Sequence, residues 1–378
     1  MLKLIVDENI AFADLVFNQF GEVKLLPGRQ IENKHLIDAD VLIVRSITEV
    51  NESLLKNTPV KFVGTATIGT DHIDLDYLKK NKITFADAKG CNAFSVAEYV
   101  VTALISLAVR FDFNLAGKTI GIVGVGNVGS KVTQFAEALG MNVLLNDPPL
   151  QRKGDIRNFV ELDEILSADI ITLHVPLNTQ GIDKTYHLFD IEKLNKIKDG
   201  SILINTSRGA VVNNNALLDV ILKKNLKVVL DVWENEPNVN IELLKNVLIA
   251  TPHIAGYSAE GKVNGTKMIY NSLCEFINTE KSLSFVIQPP ENSIIDFDAD
   301  EKLEISLEDL ISKICLISDD DMLMREMIFM NQIERVKYFD GLRKNYPERR
   351  EFNNYTVRLK STNSSVKNLL EKLRFNVL

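Results

Sequence analysis

The sequence predicts an α/β protein with two doubly wound parallel sheets and a smaller α+β unit at the C-terminus. Three observations carry that prediction. Short apolar runs alternate with helical patterns through roughly the first 280 positions. Several of those runs end on polar residues. At Gln288-Pro289-Pro290-Glu291 two prolines break the pattern, and a segment of different texture begins. The length, 378 residues, exceeds one compact core and calls for two or three domains.

Leu2–Val6, Val41–Arg45 and Lys61–Thr65 read as strands, ending at Asp7-Glu8-Asn9, Ser46 and Thr67. Ligands of open parallel sheets bind beyond the carboxyl ends of the strands. Ser46 and Thr67 are therefore candidate ligand contacts, or equally helix caps. Residues 92–111 read as one long helix. Its most apolar part, Tyr99–Val109, spans about 11 residues, against the ~20 a membrane helix needs. Lys118–Val123 is a strand, followed by a helix at Ser130–Leu139. Further strands at Asn142–Leu145, Ile170–His174, Ser201–Asn205, Val228–Leu230 and Val247–Ala250 complete a six-stranded half. A helical pattern from Gly256 to about Asn278 can return to the first domain. The expected domains are 1–95 with 258–285, then 96–257, then 286–378. The last carries a helix near Ile305–Ile317, a basic run from Arg343 to Arg350, a strand at Tyr355–Leu359 and a final helix.

Hydrophobic content of 46% and charged content of 25% are ordinary for a soluble globular chain. A net charge of −8 argues against a nucleic-acid partner, which favours a basic surface. No targeting segment and no membrane span is expected, which points to the cytoplasm. Cys91, Cys274 and Cys315 form no CxxC pair, so neither a zinc site nor a disulfide framework is suggested.

Gly124-Val125-Gly126-Asn127-Val128-Gly129 sits between a strand and a helix, the context a Rossmann-like dinucleotide loop requires. Gly124 permits the tight turn, Gly126 lets backbone approach a pyrophosphate, and Gly129 lets helix pack on strand. The helix N-terminus offers N–H groups to phosphates. Asp147 follows 18 residues after Gly129. A carboxylate there suits the free ribose hydroxyls of NAD and would repel the additional phosphate of NADP.

Three later segments supply a guanidinium, a carboxylate and an imidazole. They are Asn205-Thr206-Ser207-Arg208-Gly209, Asp231-Val232-Trp233-Glu234-Asn235-Glu236-Pro237 and Thr251-Pro252-His253-Ile254-Ala255-Gly256. The planar fork of Arg208 can hold a carboxylate and polarise a carbonyl. His253 can exchange a proton near neutral pH, and a nearby carboxylate would favour its charged form. Glu236 is the candidate for that carboxylate, with Asp231 and Glu234 as local competitors. Asp231 ends an apolar strand and is a candidate for the nicotinamide end of the cofactor, or a helix cap. His35, His72, His174 and His187 read as surface, capping or core residues.

These motifs resemble the D-isomer-specific 2-hydroxyacid dehydrogenase family over roughly residues 1–285. The resemblance implies Arg208, Glu236 and His253 as the catalytic set, with His253 as acid/base. Further matches place the chain in one branch of that family, and they span nearly the whole chain. They include Val6-Asp7-Glu8-Asn9, Val44-Arg45-Ser46, Gly64-Thr65-Ala66-Thr67-Ile68-Gly69, Asn146-Asp147-Pro148-Pro149, Gly256-Tyr257-Ser258 and Asn345-Tyr346-Pro347-Glu348-Arg349-Arg350. That branch implies a small phosphorylated hydroxy acid as substrate, NAD as cofactor and a homodimer formed through the C-terminal domain. Carried over by position, Ser46, Thr67 and Tyr257 touch substrate. Asp147, Val175, Thr206, Ser207, Arg208, Asp231 and Gly256 join the glycine loop in holding NAD; Val175 stands where some relatives have threonine, which costs nothing if the contact uses backbone atoms, and Ser207 where they have alanine or cysteine. A phosphate needs cations, for which Arg45 and the Arg343–Arg350 run are candidates, the latter either supplied by a partner subunit or only a solvated turn. Two alternatives stay open: a phosphoglycerate-dehydrogenase-like enzyme and an NAD-sensing, corepressor-like binding protein.

Overall fold

The computed structural model describes residues 1–283, 287–299, 302–360 and 363–378. The chain forms two compact units, Met1–Asn92 with Ser258–Gln288, and Ala93–Tyr257 with Pro289–Leu378.

The first unit is built on a five-stranded parallel sheet, order β2-β1-β3-β4-β5. The strands are β1 (Leu2–Asp7), β2 (Gly21–Leu26), β3 (Val41–Val44), β4 (Phe62–Thr65) and β5 (Thr84–Asp87). All four residues of β3 and of β4 are buried, as parallel strands covered on both faces must be. Helix Ala259–Phe276 belongs to this unit. Its Ile269, Tyr270, Leu273 and Cys274 pack with Leu4, Val6, Val41 and Phe62. A β-carbon on Gly64 would lie 2.6 Å from the Ile269 side chain, so that approach requires glycine. Sequence did not reveal β2 and β5. Both are edge strands with no fully buried residue, so they lack the continuous apolar run that marks a central parallel strand.

The second unit holds a six-stranded parallel sheet, order β11-β10-β9-β8-β6-β7. Its strands are β6 (Thr119–Val123), β7 (Asn142–Asn146), β8 (Ile170–Leu173), β9 (Ile202–Asn205), β10 (Lys227–Leu230) and β11 (Ile249–Ala250). Alternate residues feed two cores. Ile170, Ile202, Ile204 and Val229 join one, while Ile171, Leu203, Val228 and Leu230 join the other, the two-residue period of a strand. Helix Ala93–Arg110 lies in the first of these cores and is 78% buried.

Residues 289–378 add a three-stranded parallel sheet of β12 (Ile294–Phe297), β13 (Thr356–Leu359) and β14 (Asn376–Val377), order β12-β13-β14. This segment was expected as a separate unit, and the boundary expected at 285–286 lies outside the described residues. It groups with residues 93–257 because it shares both of their cores. Phe297, Leu307, Val357 and Leu370 enter the first, and Met324, Met327 and Phe339 the second. Polar ties reinforce this. Asp321 accepts from the Ala250 N–H at edge strand β11 (2.7 Å), and Arg325 donates to the carbonyls of Leu244 and Val247 (both 2.9 Å). Arg374 bridges the buried carboxylates of Glu98 and Glu351, each at 3.0 Å. Burial and then Glu351 push the Glu98 carboxyl well above its usual range, with Arg374 opposing.

Candidate active site

Each glycine of the loop after β6 has its own reason. Gly124 has φ +85°, and a β-carbon there would come 2.7 Å from the His174 carbonyl oxygen. One on Gly129 would lie 2.0 Å from the Gly124 carbonyl oxygen, so helix Asn127–Ala138 could not seat against the loop. One on Gly126 meets nothing within 4 Å. It would occupy open space at the N-cap, in front of the first-turn N–H groups of Asn127, Val128 and Gly129, which have no intrahelical partner. That is a cradle for a pyrophosphate.

Asp147, just past β7, is partly exposed. Its Oδ2 accepts from the Val125 N–H (2.8 Å) and its Oδ1 from Leu150 N–H (3.0 Å). A carboxylate has about four acceptor positions, so two remain for a ribose diol. Val175, after β8, packs at the floor of the loop, where its side chain is 2.8 Å from the position of a Gly124 β-carbon.

Asn205 ends β9 and staples the next loop. Its Oδ1 accepts from Ser207 N–H (3.0 Å) and Ser207 Oγ (2.8 Å), and its Nδ2 donates to the Arg208 carbonyl (2.9 Å). Arg208 is half-buried, and its Nη1 donates to the Ser207 carbonyl (2.8 Å). A β-carbon on Gly209 would lie 1.9 Å from the Trp233 carbonyl carbon. Only glycine lets the Arg208 loop lie directly on the segment that carries Glu236. Thr206 shares a 3.3 Å contact with His174 Nδ1, and His174 Nε2 meets Thr172 Oγ1 at 2.9 Å. Burial lowers His174 to about 3, so its ring is a neutral support for the Thr206 loop.

His253 and Glu236 form a pair, Nδ1 to Oε2 at 2.8 Å. Glu236 Oε1 accepts from the Trp233 N–H at 2.6 Å. Burial is the largest influence on this carboxyl and pushes it up. His253, the Trp233 N–H and the Arg343 charge together outweigh that and hold it below the usual range. Of the two competitors, Glu234 is occupied elsewhere, bonding His187 (2.7 Å) and the Asn214 N–H (3.0 Å).

Asp231 is 1% exposed and acts as a template for the histidine loop. Its Oδ1 accepts from Thr251 Oγ1 (2.6 Å) and Ile254 N–H (2.8 Å), its Oδ2 from Ala255 N–H (3.0 Å), and its backbone carbonyl from His253 N–H (2.7 Å). These bonds fix His253 in the left-handed region, φ +59°. Such a conformation persists only where the surroundings over-determine it. Thr251 is held in turn by Tyr99 Oη at 2.7 Å and, through its carbonyl, by Trp233 Nε1 at 3.0 Å. Gly256 and Tyr257 follow, both partly exposed, with the Tyr257 N–H bonded to the Ile254 carbonyl at 2.8 Å.

In the first unit, Ser46 is exposed just past β3, beside half-buried Arg45. Thr67 follows β4 and bonds Thr65 Oγ1 (2.8 Å), which meets the buried His72 Nε2 (3.1 Å). His72 thus supports a candidate residue.

The Arg343–Arg350 run is solvated only in part: Lys344, Asn345, Pro347 and Glu348 are exposed, but its last two arginines are not. Arg349 and Arg350 are 7% and 4% exposed. Arg349 Nη2 donates to the carbonyls of Ala255 and Ser95, and Arg350 Nη2 donates to Asn354 Oδ1 (3.1 Å). Burial and internal bonding take these two out of the set of phosphate candidates. Arg349 instead holds the end of the His253 loop.

Residues 105–255 match the family model of the D-isomer specific 2-hydroxyacid dehydrogenase, NAD binding domain, and residues 286–373 match a domain of unknown function. The erythronate-4-phosphate dehydrogenase of Psychromonas ingrahamii is 48% identical, the alignment covering 94% of this chain and 92% of the relative. That of Proteus mirabilis is 45% identical over 99% of both. This chain belongs to the erythronate-4-phosphate dehydrogenase family. Solved structures extend the likeness of fold. An NAD complex of NAD-dependent formate dehydrogenase from Staphylococcus aureus has TM-score 0.62 and 26% identity, covering 73% of this chain and 96% of its own. NAD-bound 3-phosphoglycerate dehydrogenase from Entamoeba histolytica has TM-score 0.64 and 25% identity, covering 73% and 95%. The two wound sheets and the NAD-binding type of the second unit, both expected from sequence, agree with these relatives.

Proposed function

We propose that this chain oxidises 4-phospho-D-erythronate at C2 to 2-oxo-3-hydroxy-4-phosphobutanoate, using NAD, as a step toward pyridoxal 5'-phosphate. The observation that carries the reading is the 2.8 Å His253–Glu236 pair in a chain with near-full-length relatives of that name. His253 Nε2 has no hydrogen-bond partner among the described residues and is left for a substrate hydroxyl.

The glycine loop, Asp147, Thr206 and Ser207, the backbone of Val175 and Gly256 would hold NAD. When bound, NAD supplies the acceptor for the electron pair leaving C2. Arg208 holds the substrate carboxylate and polarises the C2 oxygen. His253 Nε2 takes the C2 hydroxyl proton, while Glu236 keeps Nδ1 protonated and stabilises the imidazolium that forms. Asp231 belongs to the same site through the loop it shapes. Ser46, Thr67 and Tyr257 are the further substrate contacts of this reading. The enzyme works in the cytoplasm as a homodimer formed through residues 286–378, without nucleic acid or membrane.

The test is absorbance at 340 nm with NAD and a panel of phosphorylated hydroxy acids. The 4-phosphoerythronate well should rise fastest. A flat trace there, or a faster one with 3-phosphoglycerate, would overturn the reading.

A further inference from the structure

Arg343 lies in the last turn of helix Gln332–Lys344. Its guanidinium carbon sits 5.7 Å from the centroid of the Tyr257 ring, and the two side chains share a hydrogen bond. Tyr257 is fixed on its other flank by Tyr346, edge to face at 5.9 Å and 81°. The Arg343 Nε is buried and has no hydrogen-bond partner among the described residues. Glu236 and Asp231 are near enough to act on the guanidinium through space. Neither forms an ion pair with it among the described residues.

Arg343 is half-buried, and burying part of a guanidinium without a carboxylate against it costs free energy. An incoming anion offsets that cost, and the planar fork matches phosphate with two parallel donors. Two other arginines of this unit are already committed. Arg349 is spent on carbonyls of Ser95 and Ala255, and Arg208 carries the carboxylate in the proposed reaction.

We propose that Arg343, with Tyr257, anchors the substrate's phosphate and so selects a phosphorylated hydroxy acid over its unphosphorylated form. The inference rests on the reaction proposed above. It gives the C-terminal segment a direct part in substrate recognition, supplied by the same chain that carries His253.

The experiment uses the full chain, with Arg343→Met and Arg343→Lys. Inorganic phosphate is titrated calorimetrically, and kcat/KM is measured for erythronate with and without its 4-phosphate. Removing a charge-assisted donor pair should weaken phosphate binding roughly 10- to 100-fold and lower the phosphorylated-to-unphosphorylated ratio by a similar factor. Arg343→Lys should fall between, keeping the charge without the fork. NADH affinity, read by fluorescence, should match wild type in both variants. If Arg343→Met fails to bind NADH, Arg343→Lys decides alone. An unchanged ratio with unchanged phosphate affinity overturns the proposal. So does an equal loss on both substrates with a displaced pH profile, which would mean that Arg343 only tunes Glu236. Should the wild type oxidise no phosphorylated acid, the reaction assignment fails, while phosphate calorimetry still judges Arg343. Absence of phosphate binding by the wild type overturns it.

Discussion

The carboxyl ends of the two large sheets are prepared to different degrees. In the six-stranded sheet, each residue assigned to the chemistry is held by its neighbours. Asp231 shapes the histidine loop with four accepted bonds, Asn205 staples the arginine loop, and Trp233 orients Glu236. In the five-stranded sheet, Thr67 is tied through Thr65 to His72, but Ser46 is exposed and makes no side-chain hydrogen bond among the described residues. The contrast separates two tasks. Proton transfer requires fixed geometry, because reacting atoms must already be placed. A contact that only adds binding can settle when the ligand arrives.

The contrast can be broken by substitution. His253→Ala should lower kcat roughly 10²- to 10⁴-fold, the usual worth of a positioned acid–base group, with NADH affinity intact. Turnover near wild type would remove His253 from the chemistry. Asp231→Asn should cost about 10²-fold in kcat, the scale of a small misplacement of a reacting group, and lower the melting temperature. If kcat survives, the loop holds His253 without its template.

Glu236→Gln has a signed pH signature. The depressed carboxyl contributes stability above its unfolded pKa that is lost as pH falls through its lower folded value. The variant should be less stable than wild type at pH 7, and the gap should close below about pH 4. Urea melts at both pH values check this, and a constant gap would contradict the pairing. Ser46→Ala should have the smallest effect, a KM rise of about fivefold for one neutral hydrogen bond, with unchanged melting temperature. A large loss of kcat there would erase the distinction between the two sheets.

What was legible in the sequence was local. Gly124, Gly126 and Gly129 announce themselves because the left-handed turn, the open N-cap and the helix seat lie within one strand–turn–helix unit, although the His174 contact at Gly124 does not. Arg208, Glu236 and His253 stood out because each follows an apolar strand within a motif. The central strands were visible as unbroken apolar runs, whereas β2 and β5 were not, since an exposed edge needs no such run. Asp231 was read as a cofactor contact, and its hold on residues 251–255 was missed. That role depends on β10 and β11 lying side by side, as Leu230 and Ala250 do. The buried use of Arg349 was equally hidden, because its partners Ser95 and Ala255 are 254 and 94 positions away. Side-chain chemistry can be read along the chain, but partners brought together by topology cannot.

The bond from Arg349 to the Ala255 carbonyl bears on any attempt to re-engineer the protein. Everything after Gln288 looks in the sequence like an appendage, ready to be trimmed or swapped for a tail from another dehydrogenase. Such a chimera would sever one restraint on the loop that presents the imidazole and strip the cover from strand β11. The final quarter of this chain works as scaffolding for the reaction centre, and any graft must rebuild that support along with whatever else the tail does.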